Sequence, residues 1–280
     1  MDRVTIRRPG EPAPGRARWR GVACLALLLT ACGGGDKEVT EAPPPAPTEW
    51  GYGIDNGPAR WADLRPEYAL CGSGTRQSPV DLGAATPADL PDVDLEYRSV
   101  PLEVFNDGRT AGAHFTRNSF LEVGGSIFDL EELHFHLPSE HRVDGRSFPA
   151  EMHFVHQNGY GELAVVAVLV EKGAELPALA PFLAHLPRQA SDSPQPVAGA
   201  TLNLPALLPE QKLDYRYAGS LTTPPCTEKV RWYVLRSPVS CSAAQLAALR
   251  EVVRGNNRPV QDRNGRTVAM DAFATDLESE

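Results

Sequence analysis

The stretch Glu132-Leu-His-Phe-His-Leu-Pro-Ser-Glu140, followed by Glu151-Met-His-Phe-Val-His156, holds most of what the sequence says about fold and chemistry. Successive side chains of a strand point to opposite faces. His134 and His136 therefore share one face, about 7 Å apart at the backbone, with Leu133 and Phe135 on the other. Pro138, Asp144-Gly145 and Pro149 supply the turn needed to reverse the chain. A second strand lying antiparallel to the first then brings in His153 as a third ligand, on the face shared with Glu151 and Val155. Three neutral imidazoles with an open fourth position describe a catalytic zinc site. A structural site would be closed by four protein ligands, commonly cysteines, and no cysteine is near. Imidazole also suits copper, nickel or iron. The carboxylate-containing triad of iron oxygenases is missing, so Zn2+, one per chain, is the expected cofactor.

An isolated His-x-His is more often a pair of ordinary surface or core histidines. Here four of the seven histidines fall between 134 and 153. Glu132 and Glu151 are spaced to hold the ring nitrogens turned away from a metal. His141 and His156 read as structural, and His185 carries no signal.

Outward from this strand pair, residues 102–105, 120–123, 126–130, 133–136, 151–156, 163–170 and 230–235 read as strands between Gly, Asn and Asp turns. One clear helix is expected over 243–254, with Ser242 and Gln245 as a capping-box pair and Gly255 as its stop. With 24 Gly, 26 Pro and 42% apolar residues, the composition is that of a globular, β-rich chain. The fold class is α+β, mainly β, with one domain over about 50–275 and an acidic tail at 276–280.

Six arginines precede an apolar run at 22–29, which is too short to span a bilayer and reads as an export signal over 1–31. Leu29-Thr-Ala-Cys32 resembles a bacterial lipobox, which makes Cys32 the expected lipidated N-terminus, joined to the domain by a Gly- and Pro-rich acidic tether at 32–49. Membrane contact is expected only through that lipid, with the domain extracytoplasmic: periplasm-facing and lipid-anchored, or secreted. Loss of the leader removes six basic and two acidic residues and takes the net charge from −9 to −13. Such a body is a poor nucleic-acid binder. Of the remaining cysteines, Cys71 and Cys226 lie in turn-rich segments. A disulfide between them would close a long loop, worth about 4–5 kcal/mol, leaving Cys241 as a small buried hydrophobe.

The segments 134–141, 150–156 and Gly219-Ser-Leu-Thr-Thr-Pro-Pro-Cys226 with Trp232 resemble the α-carbonic anhydrase family in its bacterial form. Trp50-Gly-Tyr52-Gly, Cys71, Gln77-Ser-Pro79 and Asn256-Asn-Arg-Pro-Val-Gln261 match as well, so the resemblance spans about 50–266. It implies a central, twisted, mostly antiparallel sheet with peripheral short helices and zinc at the bottom of a conical cleft. The implied reaction is reversible hydration of carbon dioxide to bicarbonate and a proton through a zinc hydroxide, a pKa shift for which carbonic anhydrase is the standard example. Thr222 would orient the hydroxide and pass its own hydrogen bond to Glu140. Val155, Val165, Leu221 and Trp232 would form the apolar wall for carbon dioxide, Thr223 would line the polar side, and Glu151 would fix the tautomer of His153. Anions and sulfonamides are the implied inhibitors; oligomeric state is left open, with a dimer as one option.

Two positions depart from the family. Arg109 stands where the family's usual proton-shuttle histidine follows an Asn-Asn-Gly turn, and arginine releases no proton at physiological pH. Slower proton transfer is expected, with His114 as the alternative donor. Glu132 replaces the usual glutamine beside the first ligand, which should strengthen His134 as a donor and raise the pKa of the bound water. The competing readings are a catalytically silent relative, expected to lack zinc ligands, and a zinc-holding surface lipoprotein, expected to carry flexible His-rich tracts. Neither feature is present in the sequence.

Overall fold

Leu163–Lys172 is apolar at almost every position and forms a strand covered on both faces. Ala164, Val166, Val168 and Val170 pack into one hydrophobic cluster, Val165, Ala167 and Leu169 into another. A strand buried on both sides belongs in the middle of a sheet. The computed structural model describes residues 49–272 apart from Arg117 and Asp192, all within the unit Pro45–Glu280. The expected signal peptide, Cys32, nearly all of the tether and the acidic tail lie outside the described residues.

Among the described residues twelve strands occur in chain order: β1 (Thr86–Ala88), β2 (Asp94–Glu96), β3 (Ser99–Asn106), β4 (Ala111–His114), β5 (Phe120–Val123), β6 (Ser126–His136), β7 (Ala150–Gln157), β8 (Leu163–Lys172), β9 (Gln195–Asn203), β10 (Asp214–Ser220), β11 (Glu228–Cys241) and β12 (Ala269–Asp271). They form one sheet in the order β1-β12-β10-β11-β8-β7-β6-β4-β3-β9, with β5 beside β6 and β2 beside β5. The pairs β1/β12 and β8/β11 are parallel and the others antiparallel. The sheet is thus mixed and mostly antiparallel, with short helices at its periphery.

Among the described residues four α-helices accompany it: α1 (Trp61–Leu64), α2 (Leu70–Ser73), α3 (Ala180–His185) and α4 (Ala243–Val252). The expected capping box holds α4, since Ser242 Oγ accepts the Gln245 N–H while Gln245 Oε1 accepts the Ser242 N–H. The helix stops two residues earlier than expected because Val253 turns extended, and Gly255 then takes a positive φ of 56°. Leu246, Leu249 and Val253 pack with Phe182 of α3 against one face of the sheet.

The expected strands 126–130 and 133–136 are one, β6, interrupted only by a register shift between Leu130 and Glu132 against β7. Cys71 and Cys226 form the expected disulfide, with Cα atoms 5.1 Å apart. Cys241 is free and buried. Among the described residues no helix is long and apolar enough to cross a membrane.

Candidate metal centre

Register builds the site on the sheet face turned away from α3 and α4. Directly opposed residues share a face, and one row runs Phe105, Gly112, His134, His153, Ala167 across β3, β4, β6, β7 and β8. The next row runs Glu103, His114, Glu132, Val155, Val165 and then Trp232 on β11. His136 faces Glu151. The antiparallel partner expected for 133–136 is therefore β7, and it delivers His153 directly opposite His134.

The three rings cluster with centroids 5.0 Å (His134/His136), 5.2 Å (His134/His153) and 4.6 Å (His136/His153) apart. One ligand atom from each lies within 4.8 Å of the others. The opposite nitrogens are all engaged by acceptors: His134 Nδ1 by Glu132 Oε1 at 2.8 Å, His136 Nδ1 by the Asn256 carbonyl at 2.7 Å, and His153 Nε2 by Glu151 Oε1 at 2.8 Å. Carboxylates and carbonyls only accept, so those nitrogens carry the protons. His134 Nε2, His136 Nε2 and His153 Nδ1 are left with lone pairs to give. His136 Nε2 is buried with no hydrogen-bond partner, a costly state for a polar atom unless a ligand meets it. Burial and the neighbouring imidazoles hold His136 well below the usual histidine range. Burial likewise pushes His153 down to about 4 against the pull of Glu151. Neutral imidazoles are what a metal requires, so the donor set fits zinc.

Carboxylates support this cluster on two sides. Burial alone would raise Glu151, but His141 and His153 hold it well below the carboxylate range. Its Oε2 accepts the backbone N–H groups of Glu140 and His141, and its Oε1 meets His141 Nδ1 at 2.6 Å. His141 continues through Nε2 to the Tyr217 hydroxyl at 2.7 Å, which reaches Ser78 Oγ at 2.9 Å. His141, Glu151 and His153 are also close enough to hold an ion. Their atoms already satisfy one another, so that group reads as a hydrogen-bonded relay that fixes His153. At the opposite end, Glu132 is lowered against its burial by contact with His134.

Thr222 is buried on the loop after β10 and acts on the Glu140 carboxyl, whose Oε2 is itself buried and without a hydrogen-bond partner. Burial pushes the Glu140 carboxyl up; the Arg258 backbone N–H, 2.8 Å from Oε1, and the Thr222 hydroxyl pull against it. Val155, Val165, Leu221 and Trp232 fall in one apolar cluster, with the Trp232 ring 5.0 Å from that of His153. Thr223 is half-buried, and its carbonyl accepts the Cys226 N–H at 2.9 Å. The disulfide therefore closes the loop that carries Thr222. The Arg109 guanidinium lies 4.5 Å above the Trp50 ring. His114 Nδ1 stands 3.8 Å from Glu132 Oε2, and the side chain is 39% exposed.

Sequence reading gave no role to Asn256 or Arg258. Asn256 accepts the Leu137 N–H through Oδ1 at 3.0 Å and donates through Nδ2 to the Phe135 carbonyl at 2.8 Å, gripping β6 on both sides of His136. Arg258, 1% exposed, donates to Gln77 Oε1 and to the carbonyls of Ser78 and Cys71. The only sequence signal for either was the Asn256–Gln261 motif.

A mixed sheet carrying three converging imidazoles, backed by carboxylates and faced by an apolar wall, defines a metal-dependent hydrolytic or lyase centre. Residues 56–272 match the family model for eukaryotic-type carbonic anhydrases. Carbonic anhydrase of Pectobacterium carotovorum is 37% identical over 253 residues, covering 89% of this chain and 99% of that protein. That of Klebsiella pneumoniae is 41% identical over 224 residues, covering 79% and 90%. The solved α-carbonic anhydrase of Thermovibrio ammonificans, in complex with sulfanilamide, superposes with a TM-score of 0.76 at 41% identity, covering 79% of this chain and 98% of that one. The chain belongs to the carbonic anhydrase family, whose members named for that activity are lyases.

Proposed function

We propose that this chain catalyses the zinc-dependent, reversible hydration of carbon dioxide to bicarbonate and a proton, with one zinc held by His134, His136 and His153. The observation that carries the reading is the trio of imidazoles whose outer nitrogens are all engaged while His136 Nε2 is buried and unpartnered. Zinc held there would supply a Lewis acid beside which water loses a proton near neutral pH.

The chain's own residues prepare the rest. Glu132, Glu151 and the Asn256 carbonyl fix ring orientation and tautomer. Glu140 Oε2 is buried and unpartnered and, when ionised, only accepts, so the Thr222 hydroxyl would donate to it and present lone pairs to the cleft, favouring a ligand that brings its own O–H or N–H. Val155, Val165, Leu221 and Trp232 offer a dry surface that suits carbon dioxide better than water, and Thr223 lines the polar side. Arg109 cannot relay a proton, so proton transfer to buffer is slow, with His114, 3.8 Å from Glu132, as the alternative relay.

The partners are carbon dioxide and bicarbonate, with anions and sulfonamides as inhibitors; sulfanilamide on the Thermovibrio ammonificans relative supports the latter. Export and anchoring through Cys32 are supported by the 1–32 sequence, and an oxidising compartment by the Cys71–Cys226 disulfide. Stopped-flow carbon dioxide hydration on the purified chain, with and without chelator, tests the function. Chelator-sensitive hydration is expected; tight zinc binding without hydration would overturn the reading.

A further inference from the structure

The Arg109 guanidinium is stacked on an aromatic ring and is not ion-paired among the described residues. The carboxylate two residues before it turns to the backbone: Asp107 Oδ1 accepts the N–H groups of Arg109 at 2.8 Å and Thr110 at 2.7 Å. Among the described residues no carboxylate forms an ion pair with the Arg109 guanidinium, whose partner is the face of Trp50 at 4.5 Å. Trp50 is itself fixed edge-on by Tyr52 and Trp61, at 5.9 Å and 5.7 Å between centroids. A cation stacked on an aromatic face keeps its in-plane N–H groups available. The guanidinium is half-buried and oriented, yet has hydrogen bonds to give.

Its hairpin abuts the ligand strand, since Thr110 Oγ1 donates to the Phe135 carbonyl at 3.3 Å, between His134 and His136. The Tyr52 hydroxyl, on the ring beside Trp50, is buried and without a partner. The aromatic group of Trp50, Tyr52 and Trp61 in turn meets the Arg258 guanidinium, 5.7 Å from the Trp61 ring, and the Arg258 backbone N–H donates to Glu140 Oε1 at 2.8 Å. The chain as a whole carries −9, so a free cation here runs against the general field. Carbon dioxide is indifferent to such a charge, whereas bicarbonate is a planar oxyanion that a guanidinium can engage through two parallel N–H groups.

We propose that Arg109, clamped on the Trp50 indole, is an anion-recruiting residue at the entrance of the cleft, engaging small oxyanions, bicarbonate first, as they enter and leave. The assignment rests on the carbonic anhydrase reading and adds to it a residue acting on the charged substrate alone. A single charge about 5 Å from an anion in water shifts the local anion concentration by about three- to five-fold at low salt. The reaction's equilibrium constant is fixed. A loss in kcat/KM for bicarbonate must therefore appear as an equal loss in kcat/KM for carbon dioxide.

The test compares the full-length wild type with R109Q, R109K and W50L. R109Q is expected to lower kcat/KM in both directions about three- to five-fold at low ionic strength, with the difference vanishing near 0.5 M salt. Its inhibition constant for thiocyanate should rise by a similar factor, while affinity for a neutral aromatic sulfonamide stays unchanged. R109K should lose part of the effect. W50L, which keeps the charge and removes its platform, should also lose part. Chloride-35 line broadening on zinc-free protein gives an activity-independent readout, expected to fall in R109Q. An R109Q protein with wild-type thiocyanate inhibition, salt dependence and chloride broadening would overturn the proposal. A wild type that binds chloride through Arg109 but hydrates no carbon dioxide would sink the catalytic reading and leave this assignment standing.

Discussion

Replacing Asn256 by alanine tests how far the metal site depends on a residue that never touches the metal. The side chain makes two buried hydrogen bonds to β6, to the Leu137 N–H at 3.0 Å and the Phe135 carbonyl at 2.8 Å, and its own carbonyl receives His136 Nδ1 at 2.7 Å. N256A leaves one backbone donor and one acceptor without partners in a dry environment. At about 1–3 kcal/mol for each such group, the loss is about 2–6 kcal/mol of folding stability. The carbonyl that orients His136 also loses its anchor, which lowers zinc affinity by about 10- to 100-fold, the range for groups supporting a metal ligand. Urea unfolding of the zinc-free chain measures the first quantity, and competition with a chromophoric chelator the second. N256D keeps the acceptor for Leu137 and loses the donor to Phe135, so it should fall between wild type and N256A in both. A folded N256A with wild-type zinc affinity would refute the clamp.

Three further outcomes are expected. C226S opens a loop with a sequence separation of 155 and should cost about 5 kcal/mol in the chain-entropy account; an unchanged urea midpoint on comparison with oxidised wild type would contradict it. His156 is fully buried between Tyr97 and the Ala164 carbonyl, and burial pushes it from 6.5 down to about 3. Because the unfolded chain takes up that proton first, its contribution is complete above pH 6.5 and is lost as pH falls toward 3, about 4–5 kcal/mol in total. H156N should show a shallower decline of stability between pH 7 and 4 than wild type, and an equally steep one would refute the assignment. Maximal hydration turnover should rise with buffer concentration, as Arg109 relays no proton; fast, buffer-insensitive turnover that disappears in H114A would place the relay at His114 instead.

The sequence by itself determined the elements whose signal is local. Alternation along 133–136 and 151–156 put the ligand candidates on one face, the unbroken apolar run at 163–170 marked the central strand, and Ser242 with Gln245 started α4, because pleat, burial and capping act over a few residues. The strand gap expected at 131–132 closed because a bulge lets β6 continue through Glu131 and Glu132. Strands such as β4 and β9 were illegible, being short or rich in small and polar residues and held by pairing alone. Only the tertiary structure decided that His153 lies opposite His134, that Asn256 reaches back 120 residues to His136, and that Arg109 rests on Trp50. Those relations depend on register and on loops that return from far along the chain. Hydrogen-bond partners of that kind leave no periodic trace in the sequence, since any residue brought to the right point in space can supply them.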